Sequence, residues 1–207
     1  MDARQHWEQV YRTKQPTEVS WYAPHLETSL RLIEDAAPDR DAAIVDVGGG
    51  EATLVYDLLD RGYRRVSVLD VSATALDVAK ARLSERAGAV HWLSGDVGAF
   101  PFPRHHYDVW HDRALFHFLT DPKDRAAYVR QVARAVKPGG HVIVATFGPE
   151  GPTKCSGLYV VRYGPDALHD EFGASFRLLK HLTEIHRTPA GATQQFTYCY
   201  CKTSDVT

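Results

Sequence analysis

The sequence predicts an α/β fold, a three-layer α/β/α sandwich on a mostly parallel sheet, with a helical lid at the N-terminus. Two observations carry this. Beyond residue 40, short apolar runs at 43–47, 66–70, 90–93, 107–111 and 141–146 alternate with helical stretches at 51–61, 72–86 and 121–136. Such alternation specifies parallel strands joined by right-handed crossovers. The runs also lack the strict apolar–polar alternation of a half-exposed sheet, as strands covered on both faces should.

Each element has its own local reason. Trp7, Val10 and Tyr11 fall at helical spacing over residues 4–13, and Leu26, Leu30 and Ile33 do so over 26–36. These two helices, split by a polar break, read as a lid or an edge-packing element. Ser72 suits an N-cap for the helix at 72–86. Asp121 followed by Pro122 is a cap with proline at the first helical position of 121–136. Lys137-Pro138-Gly139-Gly140 predicts a sharp stop to that helix before the next strand. After Thr146 an irregular Gly/Pro/Cys segment runs to Tyr163, a helix starts near Pro165, and strands at 176–185 and 193–202 close the chain. Thr188-Pro189-Ala190-Gly191 joins those two as a hairpin. The expected organisation is one domain over 1–207, divided into a lid (1–40), a core (41–147) and a C-terminal part (148–207).

Bulk properties narrow the function. At 207 residues, 44% hydrophobic and 24% charged, the chain can bury one substantial core and a ligand cleft. A formal net charge of -2 gives no general attraction to nucleic acid or to an acidic membrane, and Arg61, Arg64 and Arg65 read as solvated surface. No secretory pattern and no membrane-spanning apolar run is apparent, so a cytoplasmic location is the expectation. Cys155, Cys199 and Cys201 are too few and too irregular for a disulfide framework, and reduced thiols are expected.

The strongest local signal is Ile44-Val45-Asp46-Val47-Gly48-Gly49-Gly50-Glu51-Ala52-Thr53-Leu54, an apolar strand ending in an acid, then three glycines, then a helix. The glycines let the chain turn sharply and let a ligand approach the backbone. Asp70, at the end of the next strand, is placed to accept hydrogen bonds from both hydroxyls of a ribose. A dinucleotide-binding fold has the same two features. Three others tilt the reading away from it. Thr53 stands where the third dinucleotide glycine would be, Asp46 precedes the glycines, and two more stations follow, Ser94-Gly95-Asp96-Val97 and the Lys-Pro-Gly-Gly turn.

With these motifs in place, residues 42–147 resemble the class I (Rossmann-like) methyltransferases that use S-adenosyl-L-methionine (SAM) and release S-adenosyl-L-homocysteine. The resemblance implies a seven-stranded sheet with its last strand antiparallel, a count the two C-terminal strands complete. It implies that Asp46 and Gly48, Gly49 and Gly50 lie along the methionine and ribose of SAM. Asp70 would hold the ribose, Val71 would pack on adenine, and Asp96 and Val97 would bind the adenine edge. Glu51 departs from the small or hydroxyl residue common after the glycines.

The acceptor chemistry of such a fold belongs at the end of the fourth strand, Tyr107-Asp108-Val109-Trp110-His111-Asp112-Arg113. No Asn-Pro-Pro-Tyr motif is present, which argues against adenine or glutamine amino groups as acceptors. The Asp112-Arg113-Ala114 step, with Trp7 and Tyr11 on the first helix, resembles thiopurine S-methyltransferases and their relatives. On that reading His111, which would also border the cofactor, or His117 takes a proton from a thiol. Arg113 then stabilises the thiolate. Asp112 and Arg113 read equally well as a structural ion pair, and His117 as a packed core residue.

Tyr11, Trp21, Tyr22, Cys155 and Arg162 are the candidates for the acceptor side. Cys155 with Cys199 and Cys201 matches no zinc spacing, so no metal is assigned. Transfer of methyl from SAM to a small molecule, a thiol by a narrow margin, is the leading expectation. A protein-lysine N-methyltransferase and a non-catalytic nucleotide-binding module are the alternatives.

Overall fold

Every apolar run forms a strand in the computed structural model, which describes residues 2–204. In chain order the strands of the main sheet are β1 (Ala43–Val47), β2 (Arg65–Asp70), β3 (Val90–Ser94), β4 (Tyr107–Arg113), β5 (Val136–Phe147), β8 (Phe176–Arg187) and β9 (Thr193–Thr203); β6 (Lys154–Cys155) and β7 (Leu158–Tyr159) form a separate small hairpin. The sheet order is β3-β2-β1-β4-β5-β9-β8. The first five strands pair in parallel, whereas β9 runs antiparallel to both β5 and β8.

The chain winds outward from β1 in one direction and then, through β4, in the other. A crevice therefore opens beyond the carboxyl ends of β1 and β4, where this architecture places its ligands.

Helices α1 (Ala3–Thr13), α2 (Glu27–Ala36), α3 (Leu54–Asp60), α4 (Ala73–Leu83), α5 (Pro122–Ala135) and α6 (Pro165–Asp170) flank the sheet. Successive side chains of a strand go to opposite faces. Ile44, Val109, Ile143 and Tyr198 accordingly pack with Leu30 and Ile33 of α2 and Leu58 of α3. Val45, Trp110, Val142 and Cys199 pack with Tyr128 and Val132 of α5 and Leu168 of α6. This parity separates the functional residues of β4 below.

The caps stand where the sequence puts them: Ser72 Oγ accepts from Ala75 N, and Asp121 accepts from Lys123 N ahead of Pro122. Several boundaries differ, among them three with a clear cause. The helix expected from residue 51 starts at Leu54, because 51–53 complete the glycine turn. The helix at 72–86 ends at Leu83 and tightens into a 3-10 turn over Ser84–Ala89. Lys-Pro-Gly-Gly does end α5, but it lies inside β5 as a bulge: Tyr107 pairs with Val136, and Val109 already pairs with His141. Gly139 takes φ +69° there, and Lys137 Nζ sits 2.8 Å from both carboxylate oxygens of Asp108. Among the described residues no helix is long and apolar enough to cross a membrane.

The bulge makes Gly140 sensitive. A Cβ there would come 2.6 Å from Val136 Cγ1 and 2.9 Å from the Lys137 carbonyl oxygen. Gly140→Ala is expected to cost about 1–3 kcal/mol of stability, as overpacking does, measured by urea unfolding. An unchanged midpoint would mean that the bulge relaxes freely.

Candidate active site

The crevice is built from the glycine turn upward. Gly48 and Gly49 both donate to the Leu69 carbonyl, at 2.7 and 3.2 Å, which folds the turn back over the end of β2. Gly48 and Gly50 have φ of +67° and +49°, a region that side chains with a Cβ avoid. Neighbours also fill the space: a Cβ on Gly48 would meet Leu115 at 2.7 Å, and one on Gly50 would meet the Tyr11 hydroxyl at 2.6 Å. Thr53, in place of a third glycine, donates its hydroxyl to the Ala23 carbonyl and so ties the turn to the segment between α1 and α2.

Beside the turn lies a cavity of about 510 Å³. One end is lined by Gly48, Asp70, Val71, Asp96 and Val97. Asp70 is buried, accepts from Ser72 N at 2.8 Å, and has its carboxyl pushed up to about 7 by burial. Asp96 accepts from Gly98 N at 2.7 Å. A buried carboxyl that offers acceptors, apolar Val71 and Val97, and backbone bared by glycine fit a nucleoside.

The other end is lined by Trp7, Tyr11, Trp21, Phe118, Arg113 and Cys155. Trp7 meets Trp21 and Phe118 edge-on, with ring centroids 5.8 and 5.0 Å apart. A second cavity, about 30 Å³, lies past Gly48 and is lined by Asp46, Gly49, Glu51, His111 and Tyr22, with Trp21 and Arg113 common to both.

The three candidates on β4 separate by parity, and His117 lies beyond the strand in a 3-10 turn. His111 and Arg113 lie on the α2 side of the sheet and Asp112 on the α5 side. His111 is 1% exposed, and both its ring nitrogens are engaged, Nδ1 with Asp46 Oδ1 at 2.7 Å and Nε2 with Ser29 Oγ at 2.9 Å. It borders only the smaller cavity and does not line the larger.

Asp112 does not pair with Arg113, which sits on the opposite face. Its Oδ1 accepts from Leu115 N at 2.9 Å and its Oδ2 from the Tyr128 hydroxyl at 2.7 Å; burial holds the carboxyl up at about 6. Arg113 pairs instead with Glu184 Oε1 at 3.4 Å, donates to the Trp21 carbonyl and lies over the Phe196 ring.

His117 is fully buried and accepts from Phe147 N through Nδ1; burial, reinforced by Arg113, drives its pKa down to about 3. It stays neutral at physiological pH and does not line either cavity.

Of the acceptor-side candidates, Tyr11, Trp21 and Cys155 come together in the larger cavity, while Tyr22 borders the smaller one. Arg162 is exposed and holds its own loop, donating to the Pro149 and Gly151 carbonyls. Cys199 and Cys201 share a strand face with sulfurs 3.2 Å apart, in the core beneath α5 and α6 and separate from Cys155. Sequence reasoning missed Phe118, Ser29 and Tyr128. It also missed Glu8, which accepts from Ala73 N at 2.7 Å at the start of α4. Their signals are tertiary; only Trp7 and Tyr11, one helical turn apart, announce a shared face.

Asp112→Ala strips the acceptor from two backbone N–H groups and the Tyr128 hydroxyl, and is expected to cost about 3 kcal/mol or more in chemical unfolding. Asp112→Asn should keep part of that. For Asp70 the sign follows from linkage. Its folded pKa lies above that of a free aspartate, so the group favours folding at low pH, and this contribution is lost as pH rises through about 7. Asp70→Asn should therefore raise the melting temperature at pH 8 more than at pH 5.5 while weakening nucleoside binding. Equal destabilisation at both pH values would contradict this.

Comparison with known proteins agrees with this geometry. Residues 44–140 match the methyltransferase domain family. A ubiquinone/menaquinone biosynthesis C-methyltransferase (UbiE) of Shewanella woodyi is 27% identical over 121 residues, 56% of this chain and 46% of that protein. The chain thus spans about half the length of the curated relatives it matches. The solved structure concerned with conversion of a disulfide bond into a thioacetal group during echinomycin biosynthesis overlaps with a TM-score of 0.80 at 17% identity, over 98% of this chain and 92% of that one. The 1,6-didemethyltoxoflavin-N1-methyltransferase of Burkholderia thailandensis, solved with S-adenosylhomocysteine, gives 0.74 at 18%, over 98% and 87%. At these identities the likeness to solved structures is one of fold. The match over residues 44–140, with the glycine turn and the strand-end acids, supports the reading of this chain as a class I SAM-dependent methyltransferase.

Proposed function

We propose that this chain transfers the methyl group of SAM to a small thiol, held between the lid and the end of β4. One observation carries the reading: the acceptor end of the larger cavity is aromatic, with Arg113 as its one cation and no histidine among the described residues that line it. The polar groups there are poor bases. Burial pushes the Tyr11 hydroxyl well up, aided by Asp70 and Glu51, and pushes the Cys155 thiol up to about 11. The carboxylates that line the cavity, Asp70, Asp96 and Asp124, belong to strand ends β2 and β3 and to α5.

SAM supplies, when bound, a methyl group already activated by its sulfonium. What the chain must add is alignment and exclusion of water. A phenol or an ammonium acceptor needs a proton removed at the site. A thiol, with its ordinary pKa of about 8.5, offers thiolate from solution, and a fixed guanidinium favours that anion. Arg113 is held for this by the Trp21 carbonyl and Glu184.

Asp70, Val71, Asp96 and Val97 would hold the adenosine, and Asp46 with Gly48, Gly49 and Gly50 the remainder. The lid over the cavity and its aromatic lining favour a small molecule over a lysine side chain. The acceptors named for the relatives differ among themselves, carbon in one and nitrogen in another. The choice of sulfur therefore rests on this cavity.

The test is transfer of labelled methyl from SAM across thiols of graded acidity, phenols, amines, quinols and a lysine peptide. Thiols are expected to take the label, with kcat/KM following their ionised fraction. Arg113→Met should cut that kcat/KM roughly ten- to a hundredfold, as loss of a charge-assisted contact does, with S-adenosylhomocysteine affinity held. Label on amines or the peptide alone would overturn the thiol reading. Binding of NAD and not SAM would remove the cofactor reading.

A further inference from the structure

Glu51 stands directly after the glycine turn and lines the smaller cavity. It is 5% exposed, and neither of its carboxylate oxygens has a hydrogen-bond partner. Its acidic neighbours are answered: Asp46 by His111, Asp70 by Ser72 N, Asp112 by Leu115 N and Tyr128. A buried carboxyl with nothing to bond is costly, and such a group points to a missing partner.

The two cavities share Gly48, Trp21 and Arg113, so the smaller one continues the larger past the glycine turn. The larger holds the groups suited to a nucleoside. SAM carries, away from its adenosine, an amino acid whose amino group is positive. The smaller cavity, about 30 Å³, has room for a group the size of an ammonium.

We propose that Glu51 is a cofactor ligand: its carboxylate takes the ammonium of the amino-acid end of SAM, and cofactor uptake expels a proton from the protein. A neutral carboxyl loses its proton to solvent, and a carboxylate–ammonium pair replaces it. The proposal rests on the SAM reading of the cleft and is independent of the acceptor.

The surroundings set the direction of the pH dependence. Arg82 of α4, which donates to the Glu51 carbonyl oxygen at 3.3 Å, draws the carboxyl down. Tyr56 of α3 and Tyr11 of α1 also face it, and Asp46, His111 and Arg113 line the same cavity or its junction. Burial outweighs Arg82 and leaves the group at about 7 in the free protein. Cation binding lowers it, so affinity should rise with pH through about 7 and then flatten.

Asp70, also near 7, would add its own pH dependence through the ribose. The experiment cancels that contribution with 5′-methylthioadenosine, which shares the adenosine and sulfur of the cofactor but lacks the amino acid. Calorimetry with it and with S-adenosylhomocysteine is run between pH 6 and 8.5 in two buffers of different ionisation enthalpy. The wild type should release more protons near pH 7 with S-adenosylhomocysteine than with 5′-methylthioadenosine. Glu51→Gln should weaken S-adenosylhomocysteine roughly ten- to a hundredfold at pH 8, as loss of a charge-assisted hydrogen bond does, and leave 5′-methylthioadenosine within about twofold.

Equal loss of both ligands would make Glu51 a structural part of the turn and overturn the proposal, as would undiminished S-adenosylhomocysteine affinity. The proton count in the wild type decides the matter without the variant. Failure of the wild type to bind either ligand refutes the cofactor reading instead.

Discussion

The cleft depends on one buried carboxylate. Asp112 Oδ1 accepts from Leu115 N at 2.9 Å and more weakly from Phe116 N at 3.4 Å, while Oδ2 accepts from the Tyr128 hydroxyl, which Trp110 Nε1 supports at 2.9 Å. With Ala114 N also bonded to the Ala145 carbonyl, Ala114 is forced to φ +74°. Such backbone persists only where its neighbours over-determine it. The turn then delivers Leu115 so close to Gly48 that no side chain fits there. The glycine motif and the Asp112-Arg113-Ala114 step, far apart in sequence, are two sides of one contact.

Around that contact the chain gathers carboxyls that pay a burial cost. Asp70, Glu51 and Asp112 are all pushed up by desolvation first of all. Asp112 recovers the cost internally through its donors. Asp70 is answered in part by backbone N–H groups, and Glu51 by none that touches its oxygens. The ungradual step from satisfied to unsatisfied acid marks where the structure ends and the ligand begins. It is also where stability has been conceded to function.

Much of the fold was legible because the central strands β1, β2 and β4 are largely buried on both faces and α4 and α5 each begin at a side-chain cap. Ser72 and Asp121 act where they stand. Of the candidate site, the lining by Asp46, Gly48 and Asp70 was legible, because position at strand ends fixes it. For β4 the sequence gives the period of two but not which face borders the cleft. His111 is expected from sequence to border the cofactor and take a proton, yet its parity turns it toward Ser29 of α2, where it completes a buried run from Asp46 to Tyr198. Asp112 and Arg113 look like a pair in sequence and are divided by the same rule. Arg162 is a sequence candidate for the acceptor side, but nothing local reveals that two carbonyls of its own loop claim it.

The lid shows why the two halves of the site cannot be treated separately. Glu8 caps the first turn of α4 through Ala73 N and the Thr74 hydroxyl, and Arg4 reaches the carbonyl of Val71 at 3.4 Å. These anchors lie on the nucleoside side. Farther along, Arg113 holds the Trp21 carbonyl and His186 the Ser20 carbonyl, on the acceptor side. Tyr11 and Trp21, with ring centroids 6.3 Å apart, lie between the two sets of anchors and line one cavity. A ligand that displaces Tyr11 from Gly50 would disturb its edge-on contact with the Trp21 ring. Coupling between two sites is reciprocal in binding free energy. On the proposed reading, the aromatic wall would therefore serve cofactor binding as much as acceptor choice, since Trp7, Tyr11 and Trp21 stand on the same short N-terminal segment.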